Sequence, residues 1–405
     1  MAARKDNKGR NLRTGEYYNA KTHVYQFRKM VDGERITITD TDLSELRKRE
    51  NELLVDLDKG KSMKYRNKNM TFDEYFEFWF KNYAANSRKP STLICYKRFY
   101  ERYAKKAIGS KKVSKITKID IQVVFNEMAV KGLKYFTLNT MRACLNSVFE
   151  CALDDDIVYK NPVRNIEMPP RDSKTKEALP EDQIKLFMDY IKNTPDCRDL
   201  YAPFVVLFNT GIRIGELIAL TWNDIDFANE IIYIRHTVIA LDKTTYGFTQ
   251  AIGTPKSKTS IRSISMNAET KSVLLRARFQ FVSNHDYSVP VVDNLGRITG
   301  ECRDFVFTSK NNTLLSQAVI IRRIHRIVNR YNKNVPEDGV KMQYFSPHTA
   351  RHTFTSKAYE AGADMKIVSE LLGHSSTSIT LDIYTHLTEK KQLEKKETVK
   401  AIAIS

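Results

Sequence analysis

A stretch rich in proline and charge divides the chain into parts that must fold separately. Residues 160–180 read KNPVRNIEMPPRDSKTKEALP and contain four prolines among several charged side chains. Proline lacks a backbone N–H and restricts the residue before it, so a regular helix or strand is not expected to run through this stretch. We interpret it as a linker between domains. With 405 residues the chain is long enough for two to four domains.

The segment before residue 64 predicts a small β-sheet covered by a helix. HVYQFRKM and RITIT alternate with a period of two and are joined through Asp32-Gly33, a hairpin signal. In this register the inward side chains are Tyr25, Phe27, Ile36 and Ile38, and leucines of the following helix are available to cover them. The outward face carries Arg28 and Arg35, and Lys21 precedes it. A basic face of this kind suits a DNA groove, although an ordinary solvated face fits the pattern equally well.

Residues 65–170 predict a helical bundle. TFDEYFEFWFKNY opens with a capping box formed by Thr71 and Glu74, and its aromatic side chains recur at helical spacing. We interpret this aromatic stripe as core rather than as a platform for stacking bases. Three further helical patterns complete a bundle of about four helices. One of them carries a basic cluster that includes Arg98 and Arg102, which we take as candidate DNA contacts.

Residues 175–390 mix helices with short strands and contain the candidate chemistry. In SPHTARHTF, a helix that begins near Pro347 places Arg351 and His352 on either side of His348. Histidines four residues apart could hold a metal, the trio could hold an anion, or all three could lie on a solvated surface. In NTGIRIGEL, Arg213 stands at a helix start, where it could grip a phosphate or form a surface salt bridge with Glu216.

Two more motifs lie on either side of SPHTARHTF. TPKSKTSIRSISM predicts two short strands or a hairpin arm, which carries Lys256, Lys258 and Arg262. Such a lysine could deliver a proton, or the arm could be a basic surface ribbon. In LLGHSSTSITLDIYTHL, His374 follows a glycine helix stop, and Tyr384 comes ten residues later in a second helical pattern. Because the chain has 20 tyrosines, any one of them is more often packed than reactive.

The composition restricts the class of protein. A formal charge of +18 together with 41% hydrophobic residues describes a folded basic protein with a polyanionic partner, for which nucleic acid is the usual identity. The five cysteines form no CxxC pair, so neither a disulfide framework nor a zinc ribbon is indicated, and a reducing cytoplasmic location follows. The sequence shows neither a membrane-spanning apolar run nor a secretory signal.

The order of the motifs resembles that of the tyrosine recombinases, the lambda-type integrase family. TGIRIGEL, SKTSIR, HTARHTF, LGHSS and DIYTHL follow one another in the order and rough spacing of that family, and the likeness is closest to the integrases of conjugative transposons. The resemblance implies a multidomain, mainly α protein with small β-sheets. Its parts would be an arm-type DNA-binding domain with a three-stranded sheet and a helix at 1–64, a helical core-site DNA-binding domain at 65–170, a mixed α/β catalytic domain at 175–390, and a tail at 391–405 exchanged between protomers.

The resemblance also assigns roles to single residues. Arg213 and Arg351 match the arginines that hold the scissile phosphate, and Tyr384 matches the nucleophile. The remaining matches are His348 and His374 for the two histidines and Lys258 for the hairpin lysine, with Lys256 as the alternative. The implied activity is cleavage and rejoining of DNA through a 3′-phosphotyrosyl ester, which integrates and excises a mobile element without a metal, another cofactor or ATP. His352 stays outside this catalytic set.

The implied partners are double-stranded DNA with core-type and arm-type sites, three further copies of the chain in a tetramer on DNA, and an accessory DNA-bending or excision factor. Other interpretations remain open at this point. A type IB topoisomerase shares the chemistry, and a DNA-binding regulator needs none. A metal-dependent hydrolase could use His348, His352 and His374, but Thr349 stands where its general base is needed and Arg351 would place a cation beside the metal.

Overall fold

The computed structural model describes residues 4–31, 34–58, 70–170, 178–253, 261–283 and 286–373. The chain divides into two compact units, residues 1–172 without 89–91 and residues 173–405 together with 89–91. The domain boundaries predicted near 64 and 170–175 adjoin or fall in stretches outside the described residues, so they stay predictions. None of the described helices has both the length and the apolar composition of a membrane-spanning helix.

The first unit begins with a three-stranded antiparallel sheet in the order β1-β2-β3, followed by a helix. The strands are β1 (Glu16–Asn19), β2 (Val24–Val31) and β3 (Glu34–Asp40), and the helix is α1 (Leu43–Asp58). Phe27 pairs with Ile38 across β2 and β3. The predicted inner face is confirmed, because Tyr25, Phe27 and Ile36 are buried against leucines of α1 and Ile38 packs on this core. The alternation in the sequence located β2 and β3 but not the short β1.

The outer face of this sheet carries the predicted basic residues. Arg28 and Arg35 are exposed, and the guanidinium of Arg28 lies 4.9 Å from the centre of the Tyr17 ring. Lys21 is exposed in the turn between β1 and β2, where its backbone N–H donates to Asn19. The exposure of Arg28 and Arg35 on the outer face is therefore as predicted, while a role of these two residues and of Lys21 in binding DNA stays a prediction.

A helical bundle forms the rest of the first unit. Its helices are α2 (Phe72–Trp79), α3 (Pro90–Phe99), α4 (Lys105–Ile108), α5 (Lys118–Val130) and α6 (Tyr135–Asp154). The Thr71–Glu74 capping box is present, and Phe72, Tyr75, Phe76 and Trp79 are buried in the bundle core. Tyr83 departs from the prediction because it is 42% exposed. A π-helical turn over Phe80–Ala84 changes the number of residues per turn, so the aromatic stripe leaves the core at this point.

A second π-helical turn, Tyr100–Ala104, joins α3 to α4. It carries Arg102, and Arg98 lies in α3 just before it. Both side chains are exposed. The predicted basic cluster therefore lies on the surface of the bundle, and its role in binding DNA stays a prediction.

The second unit mixes helices with two small sheets. The helices are α7 (Glu181–Asn193), α8 (Tyr201–Thr210), α9 (Ile214–Ala219), α10 (Lys243–Tyr246), α11 (Ala268–Phe279), α12 (Gln317–Asn334), α13 (Pro347–Glu360) and α14 (Met365–Leu372). The strands are β4 (Ile225–Asp226), β5 (Ile231–Ile234), β6 (Thr237–Ala240), β7 (Gln250–Gly253), β8 (Arg262–Ser265), β9 (Val289–Val292) and β10 (Ile298–Cys302). Helices with small sheets are the fold class that the resemblance implies, which confirms it.

Some strands that follow one another in sequence belong to different sheets. One sheet has the order β4-β5-β8 and the other β10-β9-β7-β6, in which β7 and β9 run parallel. The stretch TPKSKTSIRSISM was predicted to form a hairpin arm or two short strands. Its described strand, β8, pairs with β5, and residues 254–260 of this stretch lie outside the described residues. The hairpin arm therefore stays a prediction.

The turn between α8 and α9 brings the backbone close to α13. Gly211 ends α8 with a φ of +62°, a left-handed conformation that glycine adopts without steric cost. A Cβ atom at this position would lie 2.5 Å from the ring of Phe354 in α13 and 2.9 Å from Leu372 of α14. Gly211 therefore allows α8, α13 and α14 to meet at one point, and Arg213 follows two residues later.

Candidate active site

Arg213 is the residue that precedes α9, and its guanidinium is held from two sides. Nη1 donates to Oε1 of Glu216 at 2.7 Å, and Nη2 donates to the carbonyl oxygen of Gly373 at 3.0 Å. Its backbone N–H also donates to Oε2 of Glu216 at 2.9 Å. The Arg213 side chain is 35% exposed, so part of the fork is still open to a ligand. The salt bridge weighed as an alternative does exist, but Glu216 is only 2% exposed, so it is not a surface pair.

Arg351 is buried in α13, with an exposed fraction of 3%. Nη1 donates to the carbonyl oxygen of Gly211 at 3.0 Å, and Nη2 donates to that of Leu372 at 2.6 Å. Burial, followed by repulsion from Arg213, lowers the pKa of Arg351 to about 9. The side chain is still charged at neutral pH. A cation in this setting gains from a nearby anion.

Arg262, the first residue of β8, is the third guanidinium of the same cluster. Nη2 and Nη1 donate to the two carboxylate oxygens of Glu216 at 2.9 and 3.2 Å, and Nε donates to the carbonyl oxygen of Leu371 at 2.5 Å. The sequence placed Arg262 on the predicted arm with Lys258, but no catalytic role was assigned to it. The arginine among alternating residues of β8 was a visible signal, but nothing local distinguished it from a solvated basic residue.

Glu216 is the carboxylate that these guanidinium groups share. Burial acts to raise the pKa of Glu216, but the hydrogen bonds and charges of Arg262 and Arg213 outweigh burial, so the pKa lies below its usual range. Glu216 is therefore ionised at neutral pH. Among the described residues, the guanidinium groups of Arg213 and Arg262 contact this carboxylate, and that of Arg351 is near enough to interact with all three by charge. The cluster thus has a surplus of positive charge in a largely buried setting, which favours an anion such as a phosphate.

The two histidines of SPHTARHTF lie together on α13. The ring centres of His348 and His352 are 4.7 Å apart, and the rings meet edge to face at 86°. This confirms that the spacing of four residues brings them into contact. His348 is exposed and His352 is half-buried, whereas Arg351 is turned into the protein. The three side chains therefore differ in their exposure, and Arg351 is the buried one.

The other predicted catalytic residues are Lys258, with Lys256 as its alternative, His374 and Tyr384. They lie outside the described residues, as does the tail at 391–405. Two of them are close in sequence to residues of the cluster. Gly373, whose carbonyl accepts from Arg213, precedes His374 in sequence, and β8 begins at Arg262, four residues after Lys258. Their participation in the site stays a prediction.

A basic helix face also lies on the second unit. Helix α12 buries Ile320, Ile324, Ile327 and Val328. Its exposed side carries Arg322, His325, Arg326, Arg330 and Lys333. Sequence reasoning missed this face, although isoleucines at helical spacing between arginines were a usable signal.

Within the described part of the chain, no group of three or more His, Cys, Asp and Glu side chains is arranged to hold a metal ion.

Comparison with known proteins identifies the class. Residues 177–391 match the phage integrase family, and residues 71–129 match the phage integrase N-terminal SAM-like domain. The chain belongs to the phage integrase family. Its relatives further show that it is a tyrosine-type site-specific recombinase related to the integrases of conjugative transposons. The fold and function that the motif order implies are thereby confirmed.

Two relatives and one solved structure illustrate the likeness. The chain is 29% identical to a XerC-like tyrosine recombinase of Caldanaerobacter subterraneus subsp. tengcongensis over 83% of this chain and 84% of that protein. It is 27% identical to the transposase from transposon Tn916 of Enterococcus faecalis over 97% of both chains. The Tn1549 transposon integrase in complex with a circular intermediate DNA is 25% identical, with a TM-score of 0.67 over 80% of this chain and 99% of that one.

Proposed function

We propose that this recombinase cleaves DNA with Tyr384 as the nucleophile, and that Arg213 and Arg351 hold the scissile phosphate. The observation that carries the proposal is the cluster around Glu216, where the guanidinium groups outnumber the carboxylate and the fork of Arg213 is partly open. A phosphodiester transition state concentrates negative charge on its non-bridging oxygens. Rigid guanidinium forks can neutralise that charge where they stand.

The proposed reaction has two balanced steps. The phenolic oxygen of Tyr384 gives its proton to solvent and attacks phosphorus, the bond from phosphorus to the 5′ oxygen breaks, and a 3′-phosphotyrosyl ester forms. The departing 5′ oxygen takes a proton from Lys258. In the second step the 5′-hydroxyl of another strand returns a proton to Lys258 and attacks the ester, and the oxygen of Tyr384 leaves and takes a proton from solvent. Since the ester conserves the energy of the broken bond, neither step consumes ATP. The residues proposed to stabilise the phosphate are Arg213, His348, Arg351 and His374.

Three exposed basic surfaces support a role for each part of the chain on DNA. We propose that the sheet face with Arg28 and Arg35, together with Lys21 in the β1–β2 turn, contacts arm-type sites. We propose that the cluster with Arg98 and Arg102 contacts core-type sites, and that the basic face of α12 on the second unit also contacts DNA. The Tn1549 integrase, whose structure contains a circular intermediate DNA, supports DNA as the partner. The domains assigned to these roles are 1–64, 65–170 and 175–390. A protein that bridges two kinds of DNA site is suited to integrate and excise a mobile element.

We further propose that four copies assemble on DNA in the bacterial cytosol, with the tail at 391–405 exchanged between neighbours. The apolar run AIAI beside a charged segment in the sequence supports this exchange, because such a run is suited to contact another protein surface. An accessory DNA-bending or excision factor completes the set of proposed partners.

The proposal is tested with full-length protein and a nicked duplex that spans the joined ends of the genetic element in which the coding sequence lies. The nick traps the cleaved state, because the short fragment that carries the new 5′-hydroxyl diffuses away and cannot reverse the reaction. We expect a covalent protein–DNA band on a denaturing gel, undiminished by EDTA, and absent with a duplex of scrambled sequence. Equal cleavage of both duplexes would indicate a topoisomerase-like activity. Binding without any covalent band would indicate a regulator, and loss of the band in EDTA a metal-dependent enzyme.

A further inference from the structure

Arg262 lies in the interior of the cluster, where its side chain contacts two other elements of the second unit. Its side chain is 6% exposed, and its guanidinium donates to both carboxylate oxygens of Glu216 and to the carbonyl oxygen of Leu371. These contacts join β8, α9 and the end of α14. Buried ion pairs are weak evidence of stabilisation, because desolvation offsets much of their attraction. Their geometry therefore calls for another explanation.

The two arginines divide the hydrogen-bonding capacity of Glu216 between them. Oε1 accepts from Nη1 of Arg213 and Nη1 of Arg262, while Oε2 accepts from the backbone N–H of Arg213 and Nη2 of Arg262. Because Arg262 occupies both oxygens, the Arg213 side chain contacts Glu216 through one nitrogen only. Its second terminal nitrogen is then directed to the carbonyl oxygen of Gly373.

We propose that Arg262 is a positioning residue, which fixes the guanidinium of Arg213 through Glu216. Without it, the carboxylate of Glu216 is free to form a two-pronged pair with Arg213, which turns the fork away from Gly373 and from the proposed phosphate position. Arg262 is almost fully buried and acts on the reaction through Arg213. The inference rests on the proposed function of Arg213.

The test uses full-length protein, the nicked duplex described above and single-turnover conditions. Arg262→Met is close in length but lacks all donors, and Arg262→Lys keeps the charge but lacks the fork. Arg235→Met is the matched control, since Arg235 also pairs with a buried carboxylate of this unit, that of Asp224 at 3.3 Å. Melting temperature and DNA affinity are measured for every variant.

We expect Arg262→Met to slow covalent complex formation by about 30-fold, the scale of a small misplacement of a catalytic group, with little change in DNA affinity. Arg262→Lys should restore little of the rate, and Arg235→Met should stay within about threefold of the parent. In an Arg213→Ala background, Arg262→Met should cause almost no further loss, because its effect passes through Arg213.

Two results would overturn the inference. One is an equal loss of rate from Arg262→Met in the parent and in the Arg213→Ala background, which indicates a general structural role. The other is an unchanged rate in a folded Arg262→Met or Arg262→Lys protein. If the parent protein itself forms no covalent complex, the proposed function fails. The positioning claim is then decided by NMR of arginine-labelled protein, where an unmoved Arg213 side-chain signal in Arg262→Lys contradicts it.

Discussion

The guanidinium of Arg351 donates a 2.6 Å hydrogen bond to the carbonyl oxygen of Leu372, so α13 is fastened to the last residue of α14. The same side chain donates to the carbonyl oxygen of Gly211 at 3.0 Å. Two backbone segments far apart in sequence thus converge on one arginine. A lysine ammonium is a single point of charge and cannot reproduce the planar fork that joins both carbonyls.

Arg351→Lys should therefore slow cleavage by about 100-fold, the scale of removing one fixed donor from a developing oxyanion. The measurement is the rate of covalent complex formation on the nicked duplex. Arg323→Lys is the control, because Arg323 pairs with the exposed Asp199 on the same unit. Similar rates for Arg351→Lys and the control would show that the fork is not needed.

The lowered pKa of Arg351 predicts that an anion stabilises the second unit. A cation whose pKa falls on folding from its usual value to about 9 contributes stability that is complete above the unfolded value and lost as pH falls through about 9. At pH 7.5 the folded protein therefore bears the cost of a buried charge, which a bound anion relieves. We expect sulfate to raise the melting temperature more than chloride at equal ionic strength, and this excess to be smaller in Arg351→Gln, where only the general effect of sulfate on protein surfaces is left. An equal excess in both proteins would contradict the prediction.

Glu50 in α1 is a buried carboxyl group, and we expect it to lower the stability of the first unit as the pH rises. Burial, and then the charge of the neighbouring Glu16, raises the pKa of Glu50, and its Oε2 has no hydrogen-bond partner among the described residues. A raised carboxyl pKa contributes stability that is present below about 4.5 and lost as pH rises through the folded value. Glu50→Gln imitates the protonated form and should add roughly 1 kcal/mol at pH 7.

Hydrogen exchange measures this difference in the full-length protein through the opening free energy of amides in β2 and α1. The gain from Glu50→Gln should shrink as the pH approaches 4. Glu52→Gln is the control, because Glu52 is exposed on the same helix and should change little. A gain that does not depend on pH would argue against a titrating Glu50.

The outer face of the N-terminal sheet predicts salt-sensitive binding to arm-type DNA. Replacing Arg28 and Arg35 together by alanine should weaken binding and reduce the slope of log affinity against log salt by about one for each lost phosphate contact. Arg49→Ala is the control, because Arg49 lies on the helix side and pairs with Asp40 at 3.1 Å. Fluorescence anisotropy over a series of salt concentrations measures both quantities. An equal loss of affinity in Arg49→Ala would indicate that the DNA does not bind specifically to the face with Arg28 and Arg35.

Local rules predicted much of the secondary structure. The capping box of Thr71 and Glu74, the helix that begins at Pro347, and the alternation of β2 and β3 all depend on residues a few positions apart. Such patterns report directly on backbone geometry and on which face is apolar. For the same reason the contact of His348 with His352 followed from their spacing.

The rest depends on contacts that no short window of sequence contains. Arg351 meets Gly211 across 140 positions, and Arg262 meets Glu216 across 46. The parallel pairing of β7 with β9 likewise requires chain segments that are separated by α11. The Arg213–Glu216 pair was visible as a spacing of three, but its burial depends on Arg262 and the surrounding core. Long-range packing therefore decides which visible arginines form the site.

The residue that becomes linked to DNA can be identified by mass spectrometry. The covalent complex formed in EDTA on the nicked duplex is digested with protease and nuclease, and the peptide that retains a nucleotide is sequenced. We expect a single modified residue, Tyr384, and no complex from Tyr384→Phe, which lacks only the phenolic oxygen. A nucleotide on any other of the 20 tyrosines, or a complex that persists in Tyr384→Phe, would show that Tyr384 is not the nucleophile.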